Sequence, residues 1–139
     1  MDKIVYVGMA ADILHKGHIN LLNEASKYGR VIVGLLNDDA IKSYKREPII
    51  NYENRYIVMN SIKMVDDIIE QKTHDYTDNL RLLKPNYVVH ADDWIEGQSV
   101  VRKKVIDVLS EFNGKLIEVP YTQGISTTDI INKIKNTNN

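Results

Sequence analysis

Four short stretches of this chain carry residue types suited to holding and polarising a phosphate. The first is His15-Lys16-Gly17-His18. Each imidazole can aim an N–H at the same oxygens, neutral or protonated, and Gly17 lets the backbone approach a phosphate closely. A helix opening here would add its unpaired N–H groups and the positive end of its dipole. The second stretch is Gly124-Ile125-Ser126-Thr127-Thr128, where hydroxyls again fall at the start of an expected helix, although Ser126 is also an ordinary N-cap. The third is basic: Lys42, Lys45 and Arg46, with Arg55 further on. An arginine can clamp two phosphate oxygens at once, while the run as a whole also reads as a solvated face. The fourth is His90-Ala91-Asp92-Asp93-Trp94. Its adjacent carboxylates suit a ribose hydroxyl, a metal or a cationic group, and Trp94 either stacks on a ring or fills the rim of the core. His74 and Arg102-Lys103-Lys104 read as solvated surface.

Something must bring these stretches together. Short apolar runs alternate with segments of helical period, the pattern of a parallel α/β sheet. Strands are expected at Lys3-Gly8, Val31-Leu36, Asp67-Glu70, Tyr87-His90 and Lys115-Val119, several nearly continuous in Val, Ile, Leu and Tyr. Helices are expected from His18 to Tyr28 with Gly29 as the stop, over Asp38-Lys45, over Tyr52-Ile62 with Asn51 as cap, and over Tyr76-Leu83 ahead of Pro85. Val101, Val105, Leu109 and Phe112 form an apolar stripe before Gly114, and a last helix starts at Ser126. The expected fold is a Rossmann-like, doubly wound, five-stranded parallel sheet with helices on both faces. Residues 1–139 form one domain, with 136–139 as a frayed tail. Such sheets bind ligands beyond the carboxyl ends of their strands, where the strand order reverses. All four stretches fall at or just beyond expected strand ends.

Composition narrows the chemistry. The chain has 139 residues, 43% of them hydrophobic and 27% charged, which suits one soluble globular domain. Eighteen basic against nineteen acidic residues give a net charge of -1. That balance argues against a coat for nucleic acid or an anionic membrane. With no cysteine, disulfides, thiolate nucleophiles and cysteine metal sites are excluded. No apolar run approaches a membrane span and the N-terminal residues lack a signal-peptide layout, so a cytoplasmic protein is expected. Neither a Walker loop, a Gly-x-Gly-x-x-Gly fingerprint nor a Gly-x-Ser-x-Gly elbow is present.

Taken together, the four stretches resemble the HxGH nucleotidyltransferase superfamily, and within it the cytidylyltransferases. His15-Lys16-Gly17-His18 looks like the first family motif, Asn51-Tyr52-Glu53-Asn54-Arg55 like the central arginine motif, and Gly124-Ile125-Ser126-Thr127-Thr128 like the last. Ala91-Asp92-Asp93-Trp94 is similar to a stretch of glycerol-3-phosphate cytidylyltransferases. Val33 to Ile41, Tyr44-Lys45-Arg46 and Tyr87-Val88-Val89-His90 look closer to the phosphonate cytidylyltransferases associated with phosphoenolpyruvate mutase. Two departures stand out. Met9-Ala10-Ala11-Asp12 replaces the frequent Gly-Thr-Phe-Asp, and Tyr121-Thr122-Gln123-Gly124 replaces an Arg-Thr-Glu-Gly that carries an arginine.

The resemblance implies attack by a phosphonate or phosphate oxygen on the α-phosphorus of CTP, with pyrophosphate leaving and Mg²⁺ carried mainly on the triphosphate. It implies catalytic roles for His15, His18, Lys45 and Arg55. Nucleotide contacts are implied for Gly8, Met9, Ala10, Asp12, Gly17, Lys42, Arg46, Asp92, Asp93, Trp94, Ile125, Ser126 and Thr127. The expected acceptor is a small phosphonate, 2-aminoethylphosphonate first and a hydroxyalkylphosphonate next, with a phosphomonoester such as glycerol 3-phosphate or phosphocholine as the alternative. An adenylyltransferase and a non-catalytic nucleotide-binding module are the rival readings. By the same resemblance the chain is expected to form a homodimer.

Overall fold

The computed structural model describes residues 2–94 and 99–137. Five strands, β1 (Ile4–Met9), β2 (Arg30–Leu36), β3 (Asp67–Gln71), β4 (Tyr87–Ala91) and β5 (Lys115–Val119), form one sheet in the order β3-β2-β1-β4-β5. Every pairing is parallel, with Val7 opposite Val33, Ile68 opposite Val33, and Val88 between Tyr6 and Leu116. The chain builds outward from β1 to β3, then returns to the other side of β1 for β4 and β5. That reversal puts the crevice for a ligand at the β1/β4 boundary.

Residue alternation along β1 explains why both faces are covered. Val5 and Val7 point into one core with Leu22, Ala25 and Met59, from α1 (Lys16–Ser26) and α3 (Tyr52–Asn60). Tyr6 points the other way, into a core with Leu80, Val105 and Leu109, from α4 (Thr77–Leu83) and α5 (Ser99–Ser110). Valines and tyrosine alike are fully buried, as a central parallel strand requires. Among the described residues, no helix is long and apolar enough to cross a membrane.

Several element ends differ from the sequence expectation, and each has a local cause. The first helix starts at Lys16 with His15 as its N-cap, two residues before the expected start. The second, α2 (Asp38–Lys42), stops at Lys42, leaving Tyr44, Lys45 and Arg46 on the following loop. Ser126 caps the last helix, α6 (Thr127–Asn136), its Oγ accepting the Asp129 N–H. After α5 the left-handed residue is Asn113, at φ 63°. Gly114 is needed for a different reason: a Cβ there would lie 2.9 Å from the Pro85 carbonyl.

Candidate active site

The β1–α1 loop turns sharply through Ala11, which has φ 52°, and then enters α1 through an unusual cap. His15 sits in extended backbone, and its Nδ1 accepts the Gly17 N–H at 3.0 Å. Three residues on, the His18 Nδ1 accepts the His15 backbone N–H at 3.2 Å. This is a reciprocal capping box in which imidazoles replace the usual hydroxyl and carboxamide. The direction of the two bonds fixes the tautomers: each Nδ1 holds its lone pair, so each proton resides on Nε2. The ring centroids lie 4.1 Å apart. Burial lowers the pKa of both rings, and for His18 burial, His15 and Lys45 together bring it down to about 4. At neutral pH the loop therefore offers two neutral Nε2–H donors.

Helix α6 meets this loop from the side. The Thr127 hydroxyl donates to the Ile13 carbonyl at 3.0 Å, and Asn20 on α1 donates to Thr122 at 3.2 Å. Two helix N-termini thus open on one cavity of about 970 Å³. Its wall includes Gly8, Met9, Ala10, Asp12, His15, Gly17, His18, Lys45, Arg46, Asp93, Trp94, Ile125, Ser126 and Thr127. The two helix N-termini, with Lys45 and Arg46 on the same wall, suit a phosphate chain. Partial loss of hydration and the neighbouring Arg46 charge lower the pKa of the Lys45 ammonium. Asp93 shifts in the direction of the neutral acid, chiefly through loss of hydration. Among the described residues, no three His, Asp or Glu side chains gather as a metal site.

Five of the expected site residues are placed otherwise than expected. Arg55 is 2% exposed. Its Nε donates to the Ile50 carbonyl, one terminal nitrogen to the carbonyls of Ala10 and Leu36, and the other to Asp38, all within 2.8 Å. All three guanidinium nitrogens are engaged by these backbone oxygens and by Asp38, and the side chain does not line the cavity, so in this structure it fastens the β1–α1 loop beneath the site. Asp12 is its counterpart, although its edge reaches the cavity wall. Its carboxylate accepts the N–H groups of Ile49 and Ile50 at 2.9 and 2.8 Å and pairs with Arg46 at 3.2 Å. Lys42 is exposed on α2, away from the cavity wall. Asp92 turns to the β5–α6 connection, where it accepts the Tyr121 N–H at 3.0 Å. Trp94 resolves toward the core: it is 2% exposed and stacks on His90 at 3.8 Å between centroids, with one edge on the cavity.

The cavity also contains residues to which the motifs assign no role. Tyr76 lines it, and so does His74, which the sequence reading assigns to solvated surface; Tyr44 and His90, both inside stretches that carry the family resemblance, line it too, and the Tyr44 and His74 rings stack at 3.7 Å and 2°. His74 lies three residues beyond the end of β3, on the ligand edge of the sheet. That position was the available signal, because single residues at strand ends carry no motif.

The fold and the site define a nucleotidyltransferase on a doubly wound sheet. More narrowly, the chain belongs to the cytidylyltransferase-like family, whose model matches residues 6–133. It is 35% identical over 136 residues to the bifunctional protein HldE of Aliarcobacter butzleri, covering 96% of this chain and 27% of that protein. Against bifunctional protein HldE of Helicobacter pylori strain P12 it is 33% identical over 141 residues, covering 99% and 29% respectively. The chain thus spans less than a third of these relatives. A lipopolysaccharide core biosynthesis protein from Thermoplasma volcanium shares the fold, with a TM-score of 0.72, 23% identity, and coverage of 88% of this chain and 100% of that one. Pantothenate synthetase from Thermus thermophilus does so at a TM-score of 0.65 and 14% identity, covering 92% and 61%. These relatives overturn the expected kinship with phosphonate cytidylyltransferases: the likeness is to HldE proteins, and with it the phosphonate acceptor falls away. The short motifs are common to the wider family and do not report on the acceptor.

Proposed function

We propose that this chain transfers a nucleotidyl group from CTP to a sugar phosphate, with heptose 1-phosphate the first acceptor to test, and releases pyrophosphate. The observation that carries the reading is the pair of neutral imidazoles beside the converging N-termini of α1 and α6. The similarity to HldE proteins supports a phosphorylated sugar over a phosphonate.

The chemistry asks for positioning and charge dispersal. A phosphate acceptor is already anionic near neutral pH, so no protein base or nucleophile is needed, and the task is in-line alignment. His15 and His18 donate from Nε2 to the α-phosphate oxygens, where negative charge grows. Because their Nδ1 atoms are held by backbone N–H groups, little reorganisation is needed at the moment of reaction. The backbone at the start of α6, with Ser126 and Thr127, receives the leaving phosphates. Lys45 and Arg46 neutralise the acceptor side. Mg²⁺ arriving with the triphosphate, held by its oxygens, would offset further charge.

The test is a matrix of nucleoside triphosphates against sugar phosphates, other phosphomonoesters and phosphonates, read as pyrophosphate release and conjugate formed. Turnover with CTP and a sugar phosphate is the expected result. Preference for ATP would reassign the donor, while binding without pyrophosphate would make this a nucleotide-binding module. Light scattering tests whether the expected homodimer forms.

A further inference from the structure

The segment leading into α6 has little backbone structure of its own to hold it in place. Residues 120–126 link β5 to α6, and among the described residues 121–125 make no backbone–backbone hydrogen bond. Gly124 stands at φ 86°, and a Cβ placed there would meet nothing within 4 Å. Side chains hold the segment instead. The Thr127 hydroxyl is bonded to the Ile13 carbonyl, and Asn20 holds Thr122 from α1. The near end is held from β4.

The sheet shows how. Strands β4 and β5 pair in parallel as far as Ala91 and Val119, and the Asp92 N–H then donates to the Val119 carbonyl at 2.8 Å. In a parallel ladder alternate residues of one strand bond to its neighbour, so the next donor is the Tyr121 N–H and its ordinary acceptor is the Asp92 carbonyl. That N–H goes to the Asp92 side chain, whose Oδ1 accepts it at 3.0 Å. The carboxylate replaces the last carbonyl of the ladder, and the chain leaves the sheet at Tyr121. Asp92 itself lies outside the cavity wall, whereas Tyr121, Thr122, Ile125, Ser126 and Thr127 line it. Its neighbour Asp93 lines the cavity too, so two adjacent carboxylates have different surroundings.

Resting on the nucleotidyl-transfer reading above, we propose that Asp92 is a positioning residue for the leaving phosphates. It acts through Tyr121, fixing the approach to the N-terminus of α6, and does not touch substrate. Donors that stabilise developing charge work best when they need no reordering during the reaction. A segment with so few bonds of its own meets that condition only while its tethers hold. The task requires an oxygen that accepts one N–H, and a negative charge is not part of it.

The deciding comparison is Asp92→Ala against Asp92→Asn, whose amide oxygen still accepts the Tyr121 N–H. The side chain is exposed, so both variants should fold, which thermal melting checks. Asp92→Ala is expected to raise the nucleotide KM about fivefold, the loss of one hydrogen bond, with the acceptor KM within roughly twofold of wild type. Binding of pyrophosphate with Mg²⁺, measured by calorimetry, should weaken by the same factor. Asp92→Asn should restore both to within roughly twofold. If Asp92→Asn is as impaired as Asp92→Ala, the charge itself meets the ligand and the positioning role is overturned. Wild-type pyrophosphate binding in Asp92→Ala overturns it as well. Calorimetry needs no turnover, so a wild-type protein that binds pyrophosphate but accepts no sugar phosphate counts against the function reading alone. A wild-type protein that binds no pyrophosphate overturns both.

Discussion

The His15 backbone N–H donates to Nδ1 of His18 at 3.2 Å, so the second imidazole of the loop is aimed by the first residue of its own motif. The same bond that caps α1 leaves the His18 proton on Nε2. Capping and the proposed catalytic role of His18 therefore share one geometry.

That sharing can be pulled apart. In His18→Asn the side-chain oxygen can still accept the His15 N–H, but the donor at the Nε2 position is gone. We expect a folded protein of near-wild-type melting temperature whose kcat falls by roughly a hundredfold, the usual loss for one preorganised donor. His18→Ala should lose turnover to the same extent and about 1 kcal/mol of stability besides, because the cap goes too. Pyrophosphate release and thermal melting measure both. Unchanged kcat in either variant removes His18 from the mechanism.

Arg55 and Asp12 should behave as fasteners. Arg55→Ala strands the carbonyls of Ala10, Leu36 and Ile50 in a buried region, and we expect a stability loss of about 3 kcal/mol in urea unfolding. Activity should fall with it, since the same side chain holds the β1–α1 loop. Asp12→Ala frees Ile49, Ile50 and Arg46 together, and its expected mark is a higher acceptor KM from a slack Lys45–Arg46 segment. An Arg55→Ala protein of wild-type stability that merely binds nucleotide poorly would restore the phosphate-clamp role.

Glycines divide by what surrounds them. A Cβ at Gly34 would fall 1.7 Å from the Tyr6 hydroxyl, and that ring is fully buried and pinned by Gln71 and Asn79. Gly34→Ala should therefore cost about 3 kcal/mol or prevent folding. Gly124 has φ 86° but open space around it, so Gly124→Ala should cost only about 1 kcal/mol. Denaturant midpoints of the two variants give the comparison.

Acid should loosen the protein before its carboxylates titrate. His18 ionises near 6.5 when unfolded and only near 4 when folded. Between those values the unfolded chain binds more protons, so this contribution is complete above about pH 6.5 and shrinks as pH falls toward 4. The loss is on the order of 2–3 kcal/mol for His18, and His15 and His90 shift in the same direction. Urea curves at stepped pH should show the slope in wild type and a shallower one in His18→Asn. Equal slopes would contradict the burial of this imidazole.

Much of this was readable along the chain. Five strands appear as apolar runs because both faces of each inner strand are covered, and His15-Lys16-Gly17-His18 and Ser126 announce helix starts through local bonds spanning three residues. Local chemistry needs only local sequence. The contacts of Arg55 and Asp12 were not readable, since they depend on partners far away: Ala10 lies 45 residues from Arg55, and Ile49 lies 37 from Asp12. A lone arginine looks the same whether it will meet a phosphate or a buried carbonyl. Only the folding of β1, β2 and the segment before α3 around that guanidinium decides, because burial leaves backbone oxygens and the Asp38 carboxylate as its partners.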